Sequence, residues 1–390
     1  MKKIPLWETH WFQLSDHFLV ELKDNLLQEL IQTGIKKAGN LYLLTKQLGF
    51  SAPTFYDLIN QKGVKMISVA KLKALLDYLN IEYCYLNNKI RMTKKGSIIS
   101  IDNPKFPINL NNKEGTYLLG LIVSDGCIFL DKDAGVFRTK YAAGEKQSVD
   151  NFVNTINKLY GKVHIQEEFV RNCTILRIGS SIIGDSLLKV GAIAGNKTAI
   201  DGELPWLIQK GTKEMKASYL RAIFDDEACV YNEKTRNCGY ITLSRYRHLN
   251  NLTEEQKEEL DKLDVLMSEG KFPTGHIRKS IPLKKAREIL KDSVLLEELK
   301  RTPKILQAES KLLNEFGIDT RLFGRYLTKT HLGRYSLCFD LFINRKESLK
   351  NFYKHIGFSL DRKQQKLLQL VGGDHDNKAL QHTDKRKGKI

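Results

Sequence analysis

The segment Leu118-Leu119-Gly120-Leu121-Ile122-Val123-Ser124-Asp125-Gly126 is followed about a hundred residues later by a second segment of the same pattern, Leu220-Arg221-Ala222-Ile223-Phe224-Asp225-Asp226-Glu227-Ala228. Each segment is an apolar helical stretch that ends in an acid followed by a very small residue. A repeat at this spacing, about the length of one small domain, predicts two copies of one structural unit. Each copy supplies one carboxylate, Asp125 in the first and Glu227 in the second.

The small residues inside the two segments indicate how the copies could meet. Gly120 and Ala222 occupy equivalent places, and small residues there would let two helix backbones pack side by side. Helices paired in this way would bring Asp125 and Glu227 together at their C-terminal ends. Two like charges at close range are costly without a cation, and Mg²⁺ prefers hard oxygen ligands. The pattern therefore predicts a shared magnesium site.

The composition favours a polyanionic partner. The chain has 390 residues, long enough for two or three domains, and its net charge is +18. A generally lysine-rich proteome would give the same balance, so the charge alone leaves nucleic acid as the first candidate. No apolar run approaches the roughly 20 residues of a membrane span, and the six cysteines lack zinc or disulfide spacing. We expect a cytoplasmic protein with no membrane partner.

The first 85 residues are predicted to be a small all-α domain. Helical periodicity runs over 15–38, over 40–48 where Gly49 ends it, and again over 53–59 and 69–79. Two short helices around a glycine turn resemble the repressor-type helix-turn-helix family over roughly residues 40–82. That resemblance implies DNA contacts by Ser51, Thr54 and Lys62. A small helical bundle with no DNA role is the alternative.

The rest of the chain divides into a linker, two similar units and a tail. A basic linker is predicted over 86–112, a first unit over 113–210, a second over 211–371 and a disordered basic tail over 372–390. Each unit reads as helix, two strands, helix, two strands, helix. The second unit also has an insertion, 248–300, with two charged helical segments. The fold class is therefore α+β, with two pseudo-symmetric αββαββα units.

The two segments resemble the paired motifs of a LAGLIDADG homing endonuclease, and the likeness covers about residues 104–370. The resemblance implies that the eighth-position acids, Asp125 and Glu227, bind metal with the backbone carbonyls of Ser124 and Asp226. Ala228 departs from the glycine usual in the last position. The family also carries one lysine per unit near the scissile phosphates, which implies that Lys197 and Lys363 stabilise phosphate charge or polarise the attacking water.

In this family two four-stranded sheets form a saddle over DNA, and alternate strand residues face the groove. A solvated sheet face would carry the same residue types, and a register slip of one residue would reverse each assignment. The residues expected to contact DNA through the sheets are Arg138, Lys140, Gln166, Arg171, Arg177, Arg236, Arg245, Arg325 and Lys329.

The function implied is a monomeric, site-specific, double-strand DNA endonuclease that uses Mg²⁺ and leaves short 3′ overhangs. Mn²⁺ or Ca²⁺ could substitute for Mg²⁺. The alternative is an inactive DNA-binding regulator of the same fold or an intron maturase. The helix-turn-helix and Ala228 favour that alternative, whereas the presence of both acids and both lysines favours the enzyme.

Overall fold

A computed structural model describes residues 4–59, 65–96, 98–233, 238–268, 279–330 and 332–372 of the chain. The chain divides into two compact units, residues 1–194 and 195–390, which we call the N-terminal unit and the C-terminal unit. Both combine helices with antiparallel sheets, so the predicted α+β class is confirmed. Within the described ranges no helix is both long and apolar enough to cross a membrane. The predicted tail lies almost entirely outside the described residues.

In the first part of the N-terminal unit, the described residues form four helices and six short strands. The strands are β1 (Glu8–Thr9), β2 (Leu19–Leu22), β3 (Met66–Ser68), β4 (Ile90–Lys95), β5 (Ile98–Asp102) and β6 (Ile108–Asn109). The helices are α1 (Leu26–Ala38), α2 (Leu41–Leu48), α3 (Ala52–Ile59) and α4 (Val69–Leu79). Two 3₁₀ turns, Trp11–Gln13 and Tyr83–Leu86, complete it.

The prediction of an all-α domain over residues 1–85 is wrong. The helix expected over 15–38 begins only at Leu26, because residues 19–22 form β2 between β3 and β4. The basic linker expected over 86–112 also differs, because β4 and β5 lie inside it and pair with each other. The apolar residues of 18–22 fit a helical period as well as a strand, and only partners far along the chain select the strand.

The second part of the N-terminal unit is the first copy of the repeat. Its elements are α5 (Lys113–Val123), β7 (Gly126–Asp131), β8 (Val136–Ala143), α6 (Lys146–Tyr160), β9 (Lys162–Val163), β10 (Ile165–Val170), β11 (Cys173–Ile178) and α7 (Ser181–Lys189). The strands form a four-stranded sheet in the order β7-β8-β11-β10. β9 instead pairs with β5, so the sheet of the first 102 residues is completed by the repeat.

The C-terminal unit contains the second copy. It begins with two short helices, α8 (Lys197–Ile200) and α9 (Trp206–Gln209). The copy itself comprises α10 (Lys213–Glu227), β12 (Ala228–Glu233), β13 (Cys238–His248), α15 (Lys304–Asn314), β15 (Arg321–Lys329), β16 (Tyr335–Ile343) and α16 (Lys346–His355). The sequence did not predict the last helix, α17 (Asp361–Val371).

The described residues of the insertion, 248–268 and 279–300, form four short helices and one strand. These are α11 (Glu254–Asp261), α12 (Asp264–Ser268), β14 (Ser280–Pro282), α13 (Leu283–Ile289) and α14 (Ser293–Glu298). β14 pairs with β15 and becomes the fifth strand of the sheet, in the order β12-β13-β16-β15-β14. The insertion therefore braces this sheet, and each helical segment expected there is broken into two.

The two repeat sheets have the same strand order. In each, the first strand pairs with the second, the second with the fourth and the fourth with the third. The registers also agree: Gly126 lies opposite Tyr141 in the N-terminal unit, and Ala228 lies opposite Leu243 in the C-terminal unit. Tyr141 and Leu243 are both buried. Positions in one sheet can therefore be matched to positions in the other, residue by residue.

Candidate functional site

In the N-terminal unit, Asp125 lies at the junction between α5 and β7. The helix ends after Val123, and the hydroxyl of buried Ser124 donates to the carbonyl oxygens of Gly120 at 3.0 Å and Leu121 at 3.1 Å. The backbone N–H of Ser124 also donates to the carbonyl of Gly120, so Ser124 caps this helix end with both its backbone and its side chain. Asp125 itself is exposed. The junction between α5 and β7 therefore exposes the Asp125 side chain to solvent.

Glycine is required directly after this acid. A Cβ at Gly126 would lie 2.6 Å from the Cα of Ile122, closer than real Cβ contacts. In the C-terminal unit, α10 continues through Glu227, and the matching Ala228 is buried at the start of β12. The segment that has alanine in place of glycine therefore also ends its helix at a different position relative to the acid. Asp125 follows its helix, whereas Glu227 is the last residue of its own.

Glu227 makes an ion pair with Arg245 of β13. Arg245 is buried, and its guanidinium also contacts Glu309 of α15, with 2.7 Å between Nη2 and Oε1. Glu309 has no exposed surface, while the Glu227 side chain is 18% exposed. Burial alone would lower the pKa of Arg245, yet the carboxylates of Glu227 and Glu309 raise it. The three charges form one buried network.

Lys363 contacts the C-terminal end of α10. It lies in the first turn of α17, and its Nζ donates to the carbonyl oxygens of Phe224 at 3.1 Å and Asp225, with that of Asp226 3.5 Å away. A cation at the negative end of a helix dipole is favourable. Burial lowers the pKa of Lys363, and the carboxylate of Asp225 partly offsets this.

Asp225, near the end of α10, makes a second set of hydrogen bonds to the residues that precede α17. Its buried carboxylate accepts hydrogen bonds from the backbone N–H groups of Ser359 at 2.8 Å and Leu360 at 3.4 Å. The end of α10 and the start of α17 are therefore fixed to each other. The structure brings the predicted Lys363 beside the carbonyl of Asp226 and next to the helix end that carries Glu227.

Lys197 is the first residue of α8, in the C-terminal unit rather than in the unit that precedes it in sequence. Asn196 caps this helix, since its side-chain oxygen accepts from the N–H groups of Thr198 and Ala199. Lys197 is half-buried.

Four predicted DNA-contact residues lie on one face of the N-terminal sheet. Gln166 lies opposite Arg177, and Arg177 lies opposite Lys140. Arg138 is two residues from Lys140 on the same strand and so shares its face. These four side chains line a cleft of about 560 Å³. Because the other face carries the buried Tyr141 and Leu176, the polar face is the outer one.

The side chains on this face are held by their neighbours. Arg138 donates from Nε to Asp131 at 2.6 Å, and Arg177 donates from Nε to Glu168 at 2.9 Å. The ammonium of Lys140 lies 4.4 Å from the ring centre of Phe129. Arg171 is exposed in the turn between β10 and β11, with φ 57°.

The described residues of the C-terminal sheet that were expected to contact DNA make other contacts in the structure. Arg245 lies on the buried face, so its expected position facing DNA is corrected. Lys329 is bound by Asp261 at 2.6 Å and Asp264 at 2.8 Å, and therefore attaches the insertion to the sheet. Arg325 lies at an irregularity of β15, half-exposed, 3.3 Å from the buried Asp340. Arg236 falls outside the described residues.

The N-terminal helices α2 and α3 form as predicted. Asn40 caps α2 by accepting from the N–H of Leu43 at 2.9 Å, and Gly49 ends it with φ 71°. The exposed Ser51 precedes α3, and Thr54 lies within it. Lys62 falls outside the described residues.

The acids at the two helix ends have the chemistry that Mg²⁺ requires. Among the described residues there is no group of three or more His, Cys, Asp or Glu side chains able to hold a metal ion. Mg²⁺ commonly uses one or two carboxylates together with substrate phosphates and water, so such a group is not required. Asp125 fits this role as an exposed carboxylate, while Glu227 fits it only in competition with Arg245.

No protein-family model and no curated protein sequence matches this chain. Among solved structures, the chain is similar to I-DmoI in complex with DNA and Ca, with a TM-score of 0.34, 13% identity, and coverage of 63% of this chain and 88% of that one. It is also similar to full-length DUF199/WhiA from Thermatoga maritima, with a TM-score of 0.33, 11% identity, and coverage of 71% and 67%. A third similarity is to the N-terminal LAGLIDADG domain of DUF199/WhiA, with a TM-score of 0.30, 12% identity, and coverage of 71% and 89%. TM-scores of this size do not by themselves show a shared fold.

Proposed function

We propose that this protein is a site-specific double-strand DNA endonuclease of the LAGLIDADG homing type that acts as a monomer. One observation carries the proposal: an acid directly precedes the first strand of each of two sheets that have the same strand order and register. Two such units fit the two strands of a duplex. The products would carry short 3′ overhangs.

The proposed metal ligands are the carboxylates of Asp125 and Glu227 and the backbone carbonyls of Ser124 and Asp226. Bound Mg²⁺, or Mn²⁺ or Ca²⁺ in its place, would supply Lewis-acid stabilisation of the phosphate and a more acidic water. Lys363 keeps the carbonyl groups at the end of α10 in place, beside the proposed ligands. Lys197 would supply a second positive charge near the phosphates.

The outer face of the N-terminal sheet is the proposed surface for reading bases. Arg138, Lys140 and Arg177 carry donors that match the acceptors of guanine in the major groove, and Gln166 can pair with adenine. Arg171 at the hairpin tip is placed for a phosphate contact. We further propose that α2 and α3 act as a helix-turn-helix, with DNA contacts from Ser51, Thr54 and Lys62.

A second function is favoured by the ion pair between Glu227 and Arg245. A carboxylate already held by a buried guanidinium binds Mg²⁺ less readily, and a protein with only one competent acid would bind DNA without cutting both strands. The alternative is therefore a DNA-binding regulator or an intron maturase.

A cleavage assay on a randomised duplex library separates the two functions. The full-length protein is incubated with the library and Mg²⁺, and new ends are identified by sequencing. We expect ends with short 3′ overhangs that disappear in EDTA. Asp125→Asn and Glu227→Gln should each slow cleavage by at least about 100-fold while DNA binding in Ca²⁺ is retained.

Two results would decide against the enzyme. DNA binding by the wild type with no cleavage in Mg²⁺ or Mn²⁺ would show a regulator. Cleavage at the normal rate by either acid variant would remove that acid from the proposed site.

A further inference from the structure

The outer faces of the two sheets differ in chemistry at matching positions. The shared register matches Arg138 with Tyr240, Lys140 with Thr242 and Arg177 with Phe342. Three cationic side chains of the N-terminal sheet are therefore replaced by two aromatic rings and a threonine in the C-terminal sheet. In the next strand, the register also matches Gln166 with Arg321 and Glu168 with Phe323.

The rings of the C-terminal sheet form one connected surface, which we call the aromatic face. The centre of the Tyr240 ring lies 4.8 Å from that of Tyr231 and 5.3 Å from that of Phe342, and Phe323 lies 4.7 Å from Phe342. Tyr231 and Phe323 are 43% and 44% exposed. Exposed apolar patches of connected side chains generally mark a binding surface.

The described residues of the aromatic face carry little net charge. Two arginines lie on it, Arg321 at one end and Arg325, which is 3.3 Å from the carboxylate of the buried Asp340. Burial, followed by the charge of Asp340, raises the pKa of the Cys338 thiol to about 11, so that side chain is neutral. Desolvation and a hydrogen bond with Tyr246 raise the pKa of the Tyr326 hydroxyl. Among the described residues, the aromatic face therefore offers rings, tyrosine hydroxyls and Arg321, while Arg325 lies beside the carboxylate of Asp340.

From this contrast, and resting on the proposed function, we infer that the two sheets read different kinds of half-site, and that the aromatic face recognises the 5-methyl groups of thymines in the major groove. The thymine methyl is the apolar feature that a major groove presents, and it is read by apolar contact. The N-terminal sheet, with its donors, reads hydrogen-bond acceptors instead. The target is therefore chemically asymmetric, with thymines concentrated in the half that contacts the C-terminal unit.

The test uses base analogues in the DNA sequence selected from the library. Each thymine is replaced in turn by deoxyuridine, which lacks only the methyl group, and each guanine by 7-deazaguanine, which lacks the N7 acceptor. Binding of the full-length protein is measured in Ca²⁺. We expect each of several deoxyuridine substitutions, grouped in one half of the site, to weaken binding about three- to fivefold, the effect of one buried methyl.

Two protein variants assign those effects to a sheet. In Phe323→Ala the deoxyuridine effects should vanish while the 7-deazaguanine effects remain. In Lys140→Ala the 7-deazaguanine effect should vanish at one or more guanines while the deoxyuridine effects remain. Tyr231→Ala serves as a second variant of the aromatic face, and thermal unfolding verifies that each variant is folded.

Three results would overturn the inference. The first is equal binding of all deoxyuridine duplexes. The second is persistence of the deoxyuridine effects in both Phe323→Ala and Tyr231→Ala. The third is a dimer in sedimentation that Phe323→Ala abolishes, because the aromatic face would then bind a second copy of the chain. None of these results affects cleavage as such, so the proposed function is tested separately.

Discussion

Arg245 is the residue that decides the character of the C-terminal site. It holds the proposed metal ligand Glu227 on one side and the fully buried Glu309 on the other. Withdrawing ions from water is costly, and the cost is offset only while both partners are present. The same guanidinium that stabilises the fold therefore limits how strongly Glu227 can bind a metal ion.

Replacing this arginine should destabilise the protein markedly. Arg245→Met leaves the buried carboxylate of Glu309 without a cationic partner, and we expect the free energy of unfolding to fall by about 3–5 kcal/mol. Urea unfolding measures this. The double variant Arg245→Met with Glu309→Leu should recover most of the loss. If the unfolding free energy of Arg245→Met lay within about 0.5 kcal/mol of the wild-type value, Arg245 would not pair with Glu227 and Glu309 as described.

At the scale of elements, the two repeat helices end differently. α5 stops before its acid, and Gly126 allows the following strand to pass close to Ile122. α10 runs through its acid, and the strand begins at Ala228. The departure from glycine in the second motif is thus a property of the helix end rather than a defect in packing.

A reciprocal pair of substitutions tests this difference. Gly126→Ala places a methyl 2.6 Å from the Cα of Ile122, and we expect the free energy of unfolding to fall by about 1–3 kcal/mol. The matched change Ala228→Gly should cost less, about 1 kcal/mol. Both are measured by urea unfolding. Equal effects of the two variants would contradict the account.

The insertion is attached to its sheet by charge as well as by β14. Lys329 holds Asp261 and Asp264, and hydrogen bonds from Lys329 and Tyr335 lower the pKa of Asp261. A carboxylate with a lowered pKa stabilises the folded state above its ordinary pKa of about 3.9, and the contribution is lost as the pH falls through the lowered value.

The expected pH dependence follows from this sign. At pH 7, Asp261→Asn should lower the unfolding free energy by up to about 1 kcal/mol, since the side chain is largely exposed. Near pH 2 the difference between variant and wild type should shrink towards zero. Urea unfolding curves of both proteins at the two pH values measure this difference in unfolding free energy. A difference that grows on acidification would exclude the assigned pair.

For the whole molecule, the sequence predicted what depends on local pattern. Helix and strand order in both repeats, and the shared face of Arg138, Lys140, Gln166 and Arg177, follow from periods of 3.6 and 2. The predicted face of Arg245 is wrong because the register of β13 depends on pairing with β16, nearly a hundred residues later. The helical prediction for 19–22 failed for the same reason, because its partner strands lie elsewhere in the chain.

The central claim is that the carboxylates of Asp125 and Glu227 bind divalent metal ions beside DNA. Mn²⁺ binding by the complex of full-length protein and selected duplex, followed by electron paramagnetic resonance, tests it without relying on activity. We expect Asp125→Asn and Glu227→Gln each to weaken Mn²⁺ binding by about tenfold or more, and the exposed Glu254→Gln to leave it unchanged. Wild-type Mn²⁺ binding by the double variant Asp125→Asn with Glu227→Gln would contradict the claim.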